Sequence, residues 1–330
     1  MDFSFCALPR QTSAEVIEMV QRAEQAGMPM VWVPDETFMR DPYVLLGAIA
    51  ATTSRIRLGV GIANPYTRHP IQIARAVATV ADLAAGRVVL GIGAGLKPTR
   101  KAMGAPDGDF TETTRDAILA MKAVLAGERH TVANDVFRFD DAHMEFRPKN
   151  PVDIYVATTH PRAFRMAGEV ADGVIVGNVG RPEGLAAVTG WIREAAAGAG
   201  RAPDAVKIVA WNFALCGDDK ALLYDTIRLI TARTIANSHS KVTGMLGIDK
   251  AQVDTIRAVM RGGTAAVDRD LIPDDYIDRL AVVGSVEECR ARIESLGAAG
   301  ADIFGMRPSL EVLERLDYEG MAHQLLAALR

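Results

Sequence analysis

The chain has 330 residues, 49% apolar and 24% charged, with a formal net charge of −4. That balance is ordinary for a globular enzyme and far from the disordered or collagen-like extremes. It offers no general attraction to a phosphate backbone, and no run of Lys and Arg is long enough for a basic stripe, so nucleic acid is not an expected partner.

Cys6, Cys216 and Cys289 are odd in number and widely spaced, which argues against a disulfide framework and for a reducing compartment. The N-terminal MDFSFCAL reads as a strand rather than a leader, and no window has the length of a membrane span. A cytoplasmic protein acting on small molecules, with no membrane contact, is the expectation.

The first predicted strand, Asp2–Leu8, precedes a helix whose Val16, Val20, Ala23 and Gly27 share a face and whose start carries a capping box, Thr12 with Glu15. Strand two, Met30–Pro34, ends at the acidic pair Asp35 and Glu36. Either carboxyl can bond to a ring N–H or, if burial raises its pKa, donate a proton; the alternative is a helix N-cap with a solvated neighbour. Strand three, Ile56–Gly61, carries branched residues at Ile56, Leu58 and Val60, while Gly59 and Gly61 leave one side bare for a flat group. Its exit, Ile62-Ala63-Asn64, is stiffened by Pro65 and Pro70, and Arg68 and His69 just before Pro70 either meet substrate or anchor the loop. Strand four, Val88–Gly93, runs into Ala94 and Gly95; Leu96 occupies the sixth position where a dinucleotide fingerprint needs Gly, so that motif fails. The glycines then give a tight strand exit or a close backbone approach to a cofactor.

Residues 128–147 alternate like a hairpin. Strand five, Ile154–Thr158, ends at Thr158, Thr159 and His160, and strand six, Gly173–Gly177, at Gly177-Asn178-Val179-Gly180, which reads either as a phosphate-facing set of N–H groups or as a simple turn. Strand seven, Val206–Phe213, is followed by residues 218–279, which hold two or three extra helices. Ser285 and Glu288 form a second capping box before strand eight, Asp302–Met306, whose exit carries Arg307 and Ser309. Extra pieces of this kind sit at the C-terminal rim of a barrel, where they cover or shape a site.

Helices that end in Gly and run straight into short apolar strands are the αβ turns of a parallel β/α protein. This turn appears plainly four times, and the eight alternating β/α units favour a (β/α)8 TIM barrel with a helical insertion after strand seven, as one domain over 1–330, over an open doubly wound sheet. The site then lies at the strand C-termini. The six histidines never pair at i,i+4 and no two cysteines are close, so no metal is expected, and neither a Gly-x-Ser-x-Gly elbow nor a Walker loop is present.

The segments VWVPDETFMRDPY (31–43), TSRIRLGVGIANPYTRHP (53–70), GRVVLGIGAG (86–95), IYVATTHPRAFRMAGEVADGVIVG (154–177) and VGSVEECRARIESLGAAGADIF (283–304) resemble luciferase-like monooxygenases, and more closely the deazaflavin-dependent reductases of the methylenetetrahydromethanopterin reductase type. The resemblance implies a barrel that is often a homodimer and that holds coenzyme F420, or alternatively FMN, at the strand C-termini. It implies a non-prolyl cis peptide at Gly61–Ile62 behind the deazaflavin. Asp35, Gly61, Ile62, Ala63, Asn64, Gly95, Thr158, Thr159, Gly177 and Asn178 would contact the cofactor, the last two at its phosphate. The implied reaction is hydride transfer to or from a small organic substrate, with Glu36 as acid and His69 as second candidate. An FMN-dependent monooxygenase and a non-catalytic flavin-binding protein are the rival readings. The Glu expected at the end of strand one is Cys6 or a neighbour here, the Glu after the strand-four glycines is Leu96, and Glu36 stands where many relatives carry His.

Overall fold

A computed structural model describes residues 1–106, 108–263 and 267–330. Its strands are β1 (Asp2–Cys6), β2 (Met30–Val33), β3 (Arg57–Ala63), β4 (Val88–Ile92), β5 (His130–Ala133), β6 (Arg138–Ala142), β7 (Asp153–Thr158), β8 (Gly173–Gly177), β9 (Lys207–Cys216), β10 (Val282–Gly284) and β11 (Ile303–Arg307). Eight of them run in the order β9-β11-β1-β2-β3-β4-β7-β8, and a β8–β9 ladder closes the ring as a parallel (β/α)8 barrel. The eight predicted strands are these eight, with ends moved by a few residues. The seventh extends to Cys216 because β10 adds a short parallel pairing to its tail, Val282 opposite Ala214.

Local chemistry explains the framework. Both capping boxes form, with the hydroxyls of Thr12 and Ser285 accepting from the backbone N–H of Glu15 and Glu288. The strands, buried on both faces, are rich in branched residues, as parallel sheets under helices require. Met30, Trp32, Val89, Tyr155, Ile175, Val209 and Ile303 form a separate buried cluster within the ring of strands. Trp32 donates from Nε1 to the Ser4 hydroxyl at 3.1 Å, and Ser4 donates to the Phe304 carbonyl at 3.1 Å, so this indole is tied down inside the barrel. Gly59 makes room for it: a Cβ there would fall within the indole ring.

Residues 130–142 form the expected antiparallel hairpin. After β9 the described residues hold four helices, Lys220–Asn237, Ser240–Met245, Lys250–Gly262 and Asp274–Leu280, rather than two or three; residues 264–266 of the expected insertion lie outside the described residues. No helix among the described residues is long and apolar enough to cross a membrane.

Candidate functional site

A cavity of about 690 Å³ opens at the C-terminal ends of the barrel strands, and each of the eight strands or its exit contributes to its lining. Two walls differ in construction.

The wall on β3 and β4 is a clamp. The Gly61–Ile62 peptide is cis, and the β3–β4 register shifts between Val60 and Ala63. Asn64, buried, donates from Nδ2 to the Ala94 carbonyl at 3.2 Å and accepts on Oδ1 from the Tyr66 N–H at 2.9 Å, tying the two strand exits together. Arg100 adds bonds to the carbonyls of Ala94, at 2.6 Å, and Gly95, at 2.8 Å. Gly61, Ile62, Asn64 and Gly95 all face the cavity. Ala63 does not: the register shift turns it into the core, fully buried, where its carbonyl accepts from Gly93. His69 is also absent from the cavity wall. It is the N-cap of helix Pro70–Ala84, its Nδ1 accepting from the Ile71 N–H at 3.3 Å, and its ring packs against Phe137 and Phe139 of the hairpin. Arg68 anchors the loop by pairing with Asp41 at 2.9 Å over the Tyr43 ring.

Asp35 and Glu36 both line the cavity, and neither caps a helix; that role falls to Asp41 at the start of helix Pro42–Thr52. Burial is the largest effect on both carboxyls. It pushes Asp35 up to about 6 against the pull of Arg68, with the negative charges of Asp41 and Glu36 adding to the rise. Glu36 is raised by burial too. A carboxyl raised in this way keeps its proton closer to neutrality, as a general acid must.

Thr158 and Thr159 border the cavity on the β7 side, with the Thr158 hydroxyl accepting from the His160 N–H at 3.0 Å. Gly177 and Asn178 also border it. The expected cradle of backbone N–H groups is not there, because Asn178 N–H donates to the Trp211 carbonyl, Val179 N–H to Asn212 Oδ1 and Gly180 N–H to the Arg279 carbonyl. Asn178 sits at φ 61°, and what it turns toward the site is its side-chain amide.

That amide meets Arg307. Arg307 Nη2 donates to Asn178 Oδ1 at 2.6 Å, and the guanidinium stacks 4.0 Å from the Phe213 ring centroid. Its Nε is buried without a hydrogen-bond partner, and among the described residues Arg307 belongs to no ion pair. Cys6 lies beside it, its thiol pushed up to about 12 by burial, with Arg307 pulling the value down and Glu36 raising it.

Arg307 stands at a strand exit, yet nothing local distinguishes it from a solvated rim residue. Phe110 and Thr114 of helix Phe110–Leu125, and Met166 of helix Pro161–Val170, also reach the cavity. The signal for the first helix was the Asp109 N-cap, which accepts from the N–H groups of Thr111 and Glu112. Among the described residues neither the hairpin nor the region 218–279 lines the cavity, contrary to expectation. The insertion reaches the site indirectly, through His239, whose ring lies 4.6 Å edge-on to that of His160.

Residues 1–302 match the luciferase-like monooxygenase family. A 5,10-methylenetetrahydromethanopterin reductase from Methanolobus tindarius is 31% identical over 297 residues, 90% of each chain. An F420-dependent glucose-6-phosphate dehydrogenase from Beutenbergia cavernae is 41% identical over 165 residues, 46% of this chain and 49% of the relative. The coenzyme F420-dependent tetrahydromethanopterin reductase structure from Methanopyrus kandleri superposes with a TM-score of 0.84 over 100% of this chain and 99% of the other, at 22% identity, a likeness of fold.

Proposed function

The chain belongs to the luciferase-like monooxygenase family, and from that premise we propose that it is an F420-dependent oxidoreductase exchanging hydride between the deazaflavin and a small organic substrate. The observation that carries this reading is the meeting, in one cavity, of a glycine-lined wall and two carboxyls held above their ordinary range by burial.

The residues fit a flat ring on the β3–β4 wall, where Gly61 and Gly95 carry no side chain and Asn64 fixes the backbone behind them. Gly61, Ile62 and Gly95 would hold the ring, Asp35, Thr158 and Thr159 its polar edge and side chain, and Gly177 and Asn178 the region toward its phosphate. When bound, the cofactor supplies the hydride chemistry; orientation and proton handling fall to the protein. Glu36 holds the proton that a reduced substrate needs, or receives the one released in the reverse direction. Cys6, with its thiol near 12, stays protonated beside it and does not compete as a base. We extend the reading to one domain over 1–330 acting as a cytoplasmic homodimer; the three buried free cysteines suit a reducing compartment.

Trp211 lines the cavity and lies 5.7 Å from Trp32, so tryptophan emission reports occupancy. Titration with oxidised and reduced F420 and with FMN should give micromolar quenching by F420 and much weaker quenching by FMN. Micromolar FMN binding without F420 binding overturns the cofactor assignment in favour of a flavin monooxygenase.

A further inference from the structure

The wall across the barrel from Gly61–Ile62 holds an arginine that forms no ion pair among the described residues. Arg307 leaves β11 and crosses to Asn178 at the end of β8. A guanidinium carries five N–H donors in a fixed fork, and the hydrogen bond to Asn178 uses one. Phe213 covers one face, and the buried Nε has no partner among the described residues. Arg228, more deeply buried than Arg307, is paired with both Asp225 and Asp274. The groups nearest Arg307 cannot balance it: the Cys6 thiol is pushed up to about 12, and the Tyr318 hydroxyl, which donates to the Met306 carbonyl at 2.7 Å and accepts from the Cys6 N–H at 3.2 Å, is raised by burial too. Burial lowers Arg307 to about 10, still charged at neutral pH.

A half-buried cation with an unpartnered, buried Nε on a cavity wall is the complement of an oxyanion, and the planar fork suits a carboxylate in particular. We propose that Arg307, steadied by Asn178 and Phe213, is the binding subsite for an anionic group of the substrate, so that the substrate class is a small organic acid whose reacting carbon lies between this arginine and the β3 wall. The proposal deepens the F420 reading and rests on it for the reaction, though not for the anion.

The test uses benzoate and benzamide, matched in shape and differing in charge, titrated by tryptophan emission into the full-length protein with and without F420. Wild type should bind benzoate at least tenfold more tightly than benzamide, since hydrogen bonds between charged groups are stronger than those to a neutral amide. Arg307→Gln and Arg307→Met should erase that preference while F420 affinity stays within threefold, and Arg307→Lys should keep part of it. Because Arg307 is a half-buried charge with no ion pair among the described residues, Arg307→Met should melt at or above the wild-type temperature, which a purely structural arginine would not allow. Equal binding of the two probes to wild type, or a preference that survives Arg307→Gln, overturns the proposal. So does a tenfold loss of F420 affinity with the benzoate preference intact, which assigns the arginine to the cofactor's phosphate. A benzoate preference that depends on Arg307 in protein unable to bind F420 keeps the subsite and removes the cofactor reading.

Discussion

On the β3–β4 wall of the cavity, Asn64 spends its amide on Ala94 and Tyr66, and Arg100 spends its guanidinium on Ala94 and Gly95. On the wall formed by β11, β1 and β2, Asp35 and Glu36 are desolvated without a hydrogen bond, among the described residues, that would favour their charged forms, and Arg307 keeps a buried Nε without a partner among them. The same fold thus makes one wall from satisfied polar groups and the other from unsatisfied ones. A satisfied wall gives rigidity, which a planar cofactor needs behind it. An unsatisfied wall stores affinity for a ligand or a proton, at the expense of the empty protein's stability.

Three substitutions probe this contrast. Gly59→Ala, beneath the satisfied wall, drives a methyl group into the Trp32 ring and should cost about 3 kcal/mol in urea unfolding. A neutral result means the indole has room to move and the wall is not rigid. Asp35→Asn acts on the other wall and should do the reverse. Its folded value of about 6 lies above the unfolded value, so the wild-type carboxyl contributes its stability below about pH 4 and loses it as pH rises through 6. The variant should match wild type at pH 4 and exceed it by about 2 kcal/mol at pH 7.5. If Asp35→Asn is less stable than wild type at pH 7.5, the contrast between the walls breaks. His69→Ala, outside both walls, should lose about 1 kcal/mol with its N-cap and leave F420 titration unchanged. A fall in cofactor affinity returns His69 to the site.

The barrel was legible because its signals are local: period, capping boxes and Gly stops each lie within one helical turn or strand. Asp35, Gly61, Thr158 and Gly177 were legible as strand ends for the same reason. Ala63 was misplaced because the register shift after Val60 changes which residues face inward, and alternation cannot foresee it. His69 carried its own correction, since a polar residue directly before Pro, followed by Ile73, Ala74 and Val77 at helical spacing, is the pattern of an N-cap. The N–H groups of residues 178–180 looked free because their acceptors, the Trp211 carbonyl, Asn212 and the Arg279 carbonyl, lie 33 or more positions away. Arg307 beside Cys6 was invisible for the most basic reason: the two are at opposite ends of the chain and meet only when β1 joins β11.

That joint has a consequence for how the protein is made. Asp2 to Phe5 find their partners on one side in Ile303 to Met306, and the N–H of Asp2 donates to the Asp302 carbonyl. A ribosome adding 5–20 residues each second needs roughly 15–60 s to reach the last strand. Throughout that interval the first strand has an open edge, and the ring closes only after the final segment has left the exit tunnel. Until β11 arrives, β1 therefore offers an unpaired strand edge to any other extended segment it meets.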